Sequence, residues 1–143
     1  MKVLVDTDVL MDALTERAPF DASAKRVIAL CGEQRVEGYL AAHSITNLFY
    51  LLRKDFSLSE RRLILLSLFD IFQMEQIDGA KLKSALLRND FKDFEDCLQA
   101  ECATAVRAEY IITRNVKDYV GSAVPCIEPE MFCALFDEDA RFD

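Results

Sequence analysis

The sequence predicts an α/β protein: a three-layer α/β/α sandwich with a largely parallel sheet and helices on both faces. Three observations predict it. Short apolar runs that read as buried strands recur at residues 2–5, 38–42 and 110–113. Helical periodicity fills the intervals between them, the order expected when parallel strands are joined by crossover helices. Acidic or polar loops follow the first and third of these runs, at the carboxyl ends of strands where open α/β sheets bind ligands.

Taken in order, residues 2–5 form a strand and residues 8–14 a short helix directly after it. Residues 22–31 are helical, with Asp21 placed to cap and Gly32 to stop the helix. A second strand at 38–42 leads into a strongly helical run from Ser44, placed as its cap, to Lys54. Residues 58–69 are helical, 71–77 a weak strand, and 78–88 a helix. The helix at 94–107 carries Leu98, Cys102, Ala105 and Val106 on one stripe and Asp96, Ala100 and Ala103 on another. The small alanines let a neighbouring backbone approach, which aims Asp96 at another element. Strands at 110–113 and 124–127 follow, and Pro129 opens the final helix.

No repeat, low-complexity tract or Gly/Ser/Pro-rich linker divides the chain. Its 143 residues, 52% of them hydrophobic, match a single domain over 1–143 with a substantial core. No apolar stretch approaches a membrane span, and a carboxylate at position 6 comes too early for a signal peptide, so a cytoplasmic protein is expected. Five cysteines without a CxxC pair suit reduced, buried thiols. A formal net charge of −8 argues against loose electrostatic binding of nucleic acid, so any such activity must be local. A cation held in an acidic pocket would supply the positive field that the composition lacks.

The carboxylates carry that possibility. Asp6 follows the apolar run Val3–Leu4–Val5, where a buried charge needs a partner and a divalent cation is a suitable one. Asp93–Phe94–Glu95–Asp96 opens a helix, and Thr113–Arg114–Asn115–Val116–Lys117–Asp118 follows Ile111–Ile112. If these elements are neighbours, four or more carboxylates converge and cannot all stay ionised without a cation. Taken alone, Asp93 and Asp96 read equally well as a helix cap and its partner. The single histidine, His43, stands in no catalytic motif and reads as a residue at a helix start.

Together these segments, with Thr7–Asp8–Val9–Leu10–Met11–Asp12, Gly38–Tyr39–Leu40–Ala41–Ala42 and Thr46–Asn47–Leu48, resemble the PIN-domain family over nearly the whole chain. The likeness is greatest to its VapC-like ribonuclease toxins of bacterial toxin–antitoxin pairs. The resemblance implies an endoribonuclease that uses Mg²⁺ or Mn²⁺ for phosphodiester hydrolysis, with water rather than a side chain as nucleophile. Asp6 and Asp96 match acidic positions of the family and are the implied metal ligands, joined by Asp118. Asn115 and Asp118 share the last motif, where either contacts metal or orients water or substrate. Asp8 stands behind the ligands, while Asp93 and Asp12 suit capping and surface roles. Thr113 and Arg114 could contact the scissile phosphate, Arg114 equally serving a surface ion pair. An RNA substrate, an antitoxin protein and a homodimer are the implied partners.

The departure from the family is Asn47, where many members carry Glu; one charge fewer implies a looser cation and attenuated catalysis. Asn47 also reads as a capping partner of Ser44. Two other functions fit parts of the pattern. Asp6–Thr7–Asp8 after a strand resembles haloacid-dehalogenase-like phosphatases, although the late strand ends in Thr113–Arg114–Asn115 instead of that family's acidic motif. A PIN-type module that binds RNA or protein with little turnover is the non-enzymatic reading.

Overall fold

The computed structural model describes residues 1–140. Its strands are β1 (Lys2–Val5), β2 (Glu37–Ala41), β3 (Gln73–Glu75), β4 (Tyr110–Ile112) and β5 (Cys126–Ile127). They form one sheet in the order β3-β2-β1-β4-β5. Every pairing is parallel, so each connection crosses over and the predicted sandwich is the observed one. The helices are α1 (Thr7–Leu14), α2 (Asp21–Gly32), α3 (Ala42–Leu51), α4 (Leu58–Ile71), α5 (Gly79–Leu87), α6 (Phe94–Val106) and α7 (Pro129–Ala140).

The period of two along each central strand divides the core between two layers. Val3 and Val5 of β1, Leu40 of β2 and Ile112 of β4 pack with α1, α2, α3, α4 and Phe132 of α7. The intervening Leu4, Ala41 and Ile111 face Ala100, Ala103 and Val106 of α6. Beyond α6, Ala85 of α5 packs on Cys97 and Leu98. The alanines therefore do bring α6 close to the sheet, while Ala105 is exposed rather than on the buried stripe. Gly38 is required by a close approach, because a Cβ there would lie 2.7 Å from both Cys31 Sγ and Phe72 Cδ1.

Several expected boundaries move, each for a local reason. Strand β2 runs straight into α3, which begins at Ala42 with Ala41 as a cap that makes no side-chain bond. Ser44 is thus not a cap but a fully buried residue inside the helix. Asp21 is the first residue of α2 rather than its cap, which is Phe20, and its charge still suits the helix N-terminus. Ile71 ends α4 instead of starting β3. The stretch after β4, read as loop, contains a 3-10 turn at Val116–Tyr119. Ser57, Asp78 and Asp93 do cap α4, α5 and α6, each accepting a backbone N–H three residues on. All five cysteines are free, and no described helix is long and apolar enough to cross a membrane.

Candidate functional site

The carboxyl ends of β1 and β4 are neighbours because these strands pair, with Val5 opposite Ile112. Asp6 therefore sits next to the loop that leaves β4, and its backbone N–H donates to the Ile112 carbonyl at 3.0 Å. It is the N-cap of α1 and only 6% exposed. One carboxylate oxygen accepts from the Thr7 N–H at 2.7 Å, the other from the Thr113 hydroxyl at 2.8 Å. Burial raises the Asp6 pKa, while hydrogen bonds from Thr113, Tyr119 and Thr7 act against that rise.

Two further carboxylates gather around it. Asp96, in the first turn of α6, is pushed up to about 7 by burial and then by repulsion from Asp6, Asp93 and Asp118. Asp8 is raised to about 7 by burial and then by Asp6, with Arg114 opposing. Asn115 donates to Asp8 Oδ2 at 2.6 Å, and Asp8 Oδ1 is buried with no partner among the described residues. Asp6, Asp8, Glu95 and Asp96 line one cavity of about 450 Å³, shared with Arg17, His43 and Asn47. Asp118 is exposed and lines an adjacent depression with Asp93, Lys117 and Asp96, so Asp96 is the wall between the two.

The structure brings Asp6, Asp96, Asn115 and Asn47 close, but it places Thr113 and Asp12 differently from expectation, and of the two roles open to Arg114 it shows the ion pair. Thr113 is fully buried and spends its hydroxyl on Asp6, so it holds a carboxylate and does not reach a substrate. Arg114 forms a two-pronged pair with Asp12, one prong at 3.1 Å, and lies over the Phe20 ring. Asp12 is no surface residue: it is 1% exposed, because α1 packs its inner face against the core. This pair braces the loop between Thr113 and Asn115, which reach Asp6 and Asp8. The cation that lines the cavity is Arg17, half-exposed and 4.0 Å from Asp12.

Asn47 is not a partner of Ser44 either. Its amide donates to Glu95 Oε2 at 3.1 Å, so a carboxylate from α6 stands where α3 lacks one. The sequence held a signal for this only in the run Phe94–Glu95–Asp96, which did not single out Glu95. Tyr119 was also missed: it is buried, its hydroxyl donates to Asp96 at 3.4 Å, and burial beside Asp6 and Asp96 raises its pKa. Beneath the cavity, Gln99 donates to Ser44 at 2.8 Å and to Thr7 at 3.3 Å, tying α6, α3 and α1 together. Its carbonyl oxygen is buried and unpartnered among the described residues. His43 Nε2 donates to the Glu95 carbonyl at 3.2 Å, and burial first of all lowers the ring's pKa.

Among the described residues no three His, Cys, Asp or Glu side chains form a ready-made metal cage. The donors nonetheless fit a hard, partly hydrated cation such as Mg²⁺ or Mn²⁺, which binds through one or two carboxylates and keeps several waters. The buried Asp8 oxygen without a partner among the described residues, and the mutual repulsion of Asp6, Asp8 and Asp96, suit a cation as their partner.

A family model described as PIN domain matches residues 2–117. Comparison with curated proteins gives no match. Among solved structures, VapBC2 from Rickettsia felis bound to a promoter DNA fragment superposes with TM-score 0.64 at 14% identity, covering 90% of this chain and 98% of that one. A toxin–antitoxin complex from Klebsiella pneumoniae gives TM-score 0.66 at 21% identity, covering 89% and 97%. VapBC-1 from nontypeable Haemophilus influenzae gives 0.63 at 14%, covering 91% and 99%.

Proposed function

The chain belongs to the PIN domain family, and on that premise we propose that it is a metal-dependent endoribonuclease and the toxin of a toxin–antitoxin pair. The observation that carries the enzymatic reading is the convergence of Asp6, Asp8 and Asp96 on one cavity, with two of the three pushed up to about 7. Carboxylates buried and crowded in a cleft mark a candidate functional site, and a cation would relieve the repulsion among them. The similarity to toxin–antitoxin complexes over 89% and 91% of this chain supports the toxin assignment.

Asp6 and Asp96 would hold Mg²⁺ or Mn²⁺, with Glu95 and Asp118 on either side of Asp96. A bound ion would supply Lewis acidity, to activate water and to offset charge on the phosphoryl group. The protein's own residues fix the geometry. Thr113 and Thr7 orient the Asp6 carboxylate, Asn115 orients Asp8, and Asn47 holds Glu95. Because Glu95 replaces the charge that Asn47 lacks, the site retains its carboxylate count and is expected to turn over. An antitoxin partner would cover the acidic cavity with an Arg or Lys, and the active form is proposed as a cytoplasmic homodimer.

The test is incubation of purified protein with structured and single-stranded RNAs in Mg²⁺, in Mn²⁺ and in EDTA. Cleavage that requires the metal and vanishes in Asp6→Asn supports the reading. RNA left intact under every condition, with no Mn²⁺ bound at micromolar concentration, would favour the module that binds without turnover. Expression alone should arrest growth, and co-expression with a small antitoxin should restore it.

A further inference from the structure

The cavity that holds the carboxylates does not end with them. Along α3, His43, Asn47, Tyr50 and Leu51 all line it, at spacings of four, three and one, which is a single helical stripe. With a rise of about 1.5 Å per residue, the stripe carries Tyr50 about 10 Å from His43, away from the carboxylates and towards the rim. There the lining changes character. Tyr50 is 60% exposed and Leu51 42%, large apolar surfaces beside a polar pocket. Arg53 lies over the Tyr50 ring at 3.7 Å and donates to its carbonyl at 3.0 Å, which holds the ring in place. Arg17 lines the same cavity from the segment that follows α1, half-exposed, with Asp12 at 4.0 Å as its nearest carboxylate. Arg114 is engaged by Asp12 through two of its nitrogens.

We propose that the Arg17–Tyr50–Leu51 end of the cavity binds the nucleotide next to the scissile bond of a single-stranded RNA, the base stacking on Tyr50 and a flanking phosphate pairing with Arg17. The inference rests on the nuclease reading and assigns Tyr50 and Arg17 to the base and phosphate of its substrate. Two physical arguments favour a base as the occupant. An exposed aromatic ring held by a guanidinium offers a stacking platform that accepts any splayed-out base, and a base in a duplex is unavailable to it. A chain with formal net charge −8 also repels phosphate nearly everywhere, so a lone exposed arginine in the cavity sets where the backbone lies.

The probes are a fluorescein-labelled 12-nucleotide oligouridylate, an abasic sugar–phosphate strand of equal length and a blunt RNA duplex, titrated with the full chain by polarisation in Ca²⁺. Cleavage of the oligouridylate in Mn²⁺ is measured separately, so loss of the nuclease reading is seen independently of binding. The expected result is tighter binding of oligouridylate than of either control. Tyr50→Ala should weaken it roughly ten- to hundred-fold and Tyr50→Phe hardly at all, since only the ring is needed. Arg17→Ala should lower the log–log salt slope by about 0.7, one phosphate contact on a single strand, and Arg17→Lys should keep it. In cleavage, Tyr50→Ala should act on KM more than on kcat. Equal affinity for the three probes, wild-type binding by both alanine variants, or no RNA binding at all would overturn the proposal.

Discussion

Asp6 is asked to do two things at once. It caps α1 through the Thr7 N–H and contributes a buried carboxylate to the cavity. Replacing it with Asn keeps an oxygen for the cap but removes the charge. Asp6→Asn and Asp96→Asn should therefore each abolish metal-dependent RNA cleavage while raising the melting temperature of the metal-free protein, because less charge is crowded into the pocket. Wild-type cleavage rates in both variants would remove them from the site. Glu95 gives a sharper test of the neighbouring position. Glu95→Gln should weaken Mn²⁺ binding about tenfold, roughly 1.4 kcal/mol, in a calorimetric titration. Asn47→Glu, by contrast, now faces Glu95 at hydrogen-bonding distance and should destabilise the metal-free protein through like-charge repulsion.

At the scale of elements, the loop after β4 is held to α1 by the Asp12–Arg114 pair. Asp12 is 1% exposed, so removing its partner strands a buried charge that Arg17, 4.0 Å away, compensates only in part. Arg114→Ala should cost roughly 3 kcal/mol of stability in urea unfolding, and Arg114→Lys should recover little of it, since an ammonium lacks the two-pronged fork. The contact between α2, β2 and the end of α4 is equally specific. Gly38→Ala would push a methyl group against Cys31 and Phe72, with an expected loss of about 1–3 kcal/mol. Unchanged midpoints in either case would mean that these contacts are slack.

For the whole molecule, the crowded carboxylates couple stability to pH and to metal. An unfolded Asp releases its proton near pH 4, whereas Asp8 and Asp96 in the folded protein keep theirs to about 7, and Asp6 is raised too. Between those values the folded state binds more protons than the unfolded one, so stability falls as pH rises from about 4 to about 7 and is lowest above it. In EDTA the melting temperature should be higher at pH 5 than at pH 8. Mn²⁺ should close that gap, because a cation replaces the protons. A melting temperature that is flat with pH in EDTA would show that these groups ionise freely.

The sequence by itself determined the α/β alternation, the parallel sandwich and the acidic positions of Asp6 and Asp96. These are carried by local periodicity and by single residues at the ends of apolar runs, which need no knowledge of neighbours. Its errors were also local ones: Ser44 looks like a cap until β2 is seen to pass directly into α3. Only the tertiary structure decided which groups meet. That Arg114 is consumed by Asp12, that Arg17 faces the cavity, and that Glu95 joins Asn47 across 48 positions depend on strand order and on helix rotation. Pairing of β1 with β4 sets Asp6 beside Thr113 although they are 107 residues apart. Such contacts reflect the packing of layers against one another, and no window of sequence contains both partners.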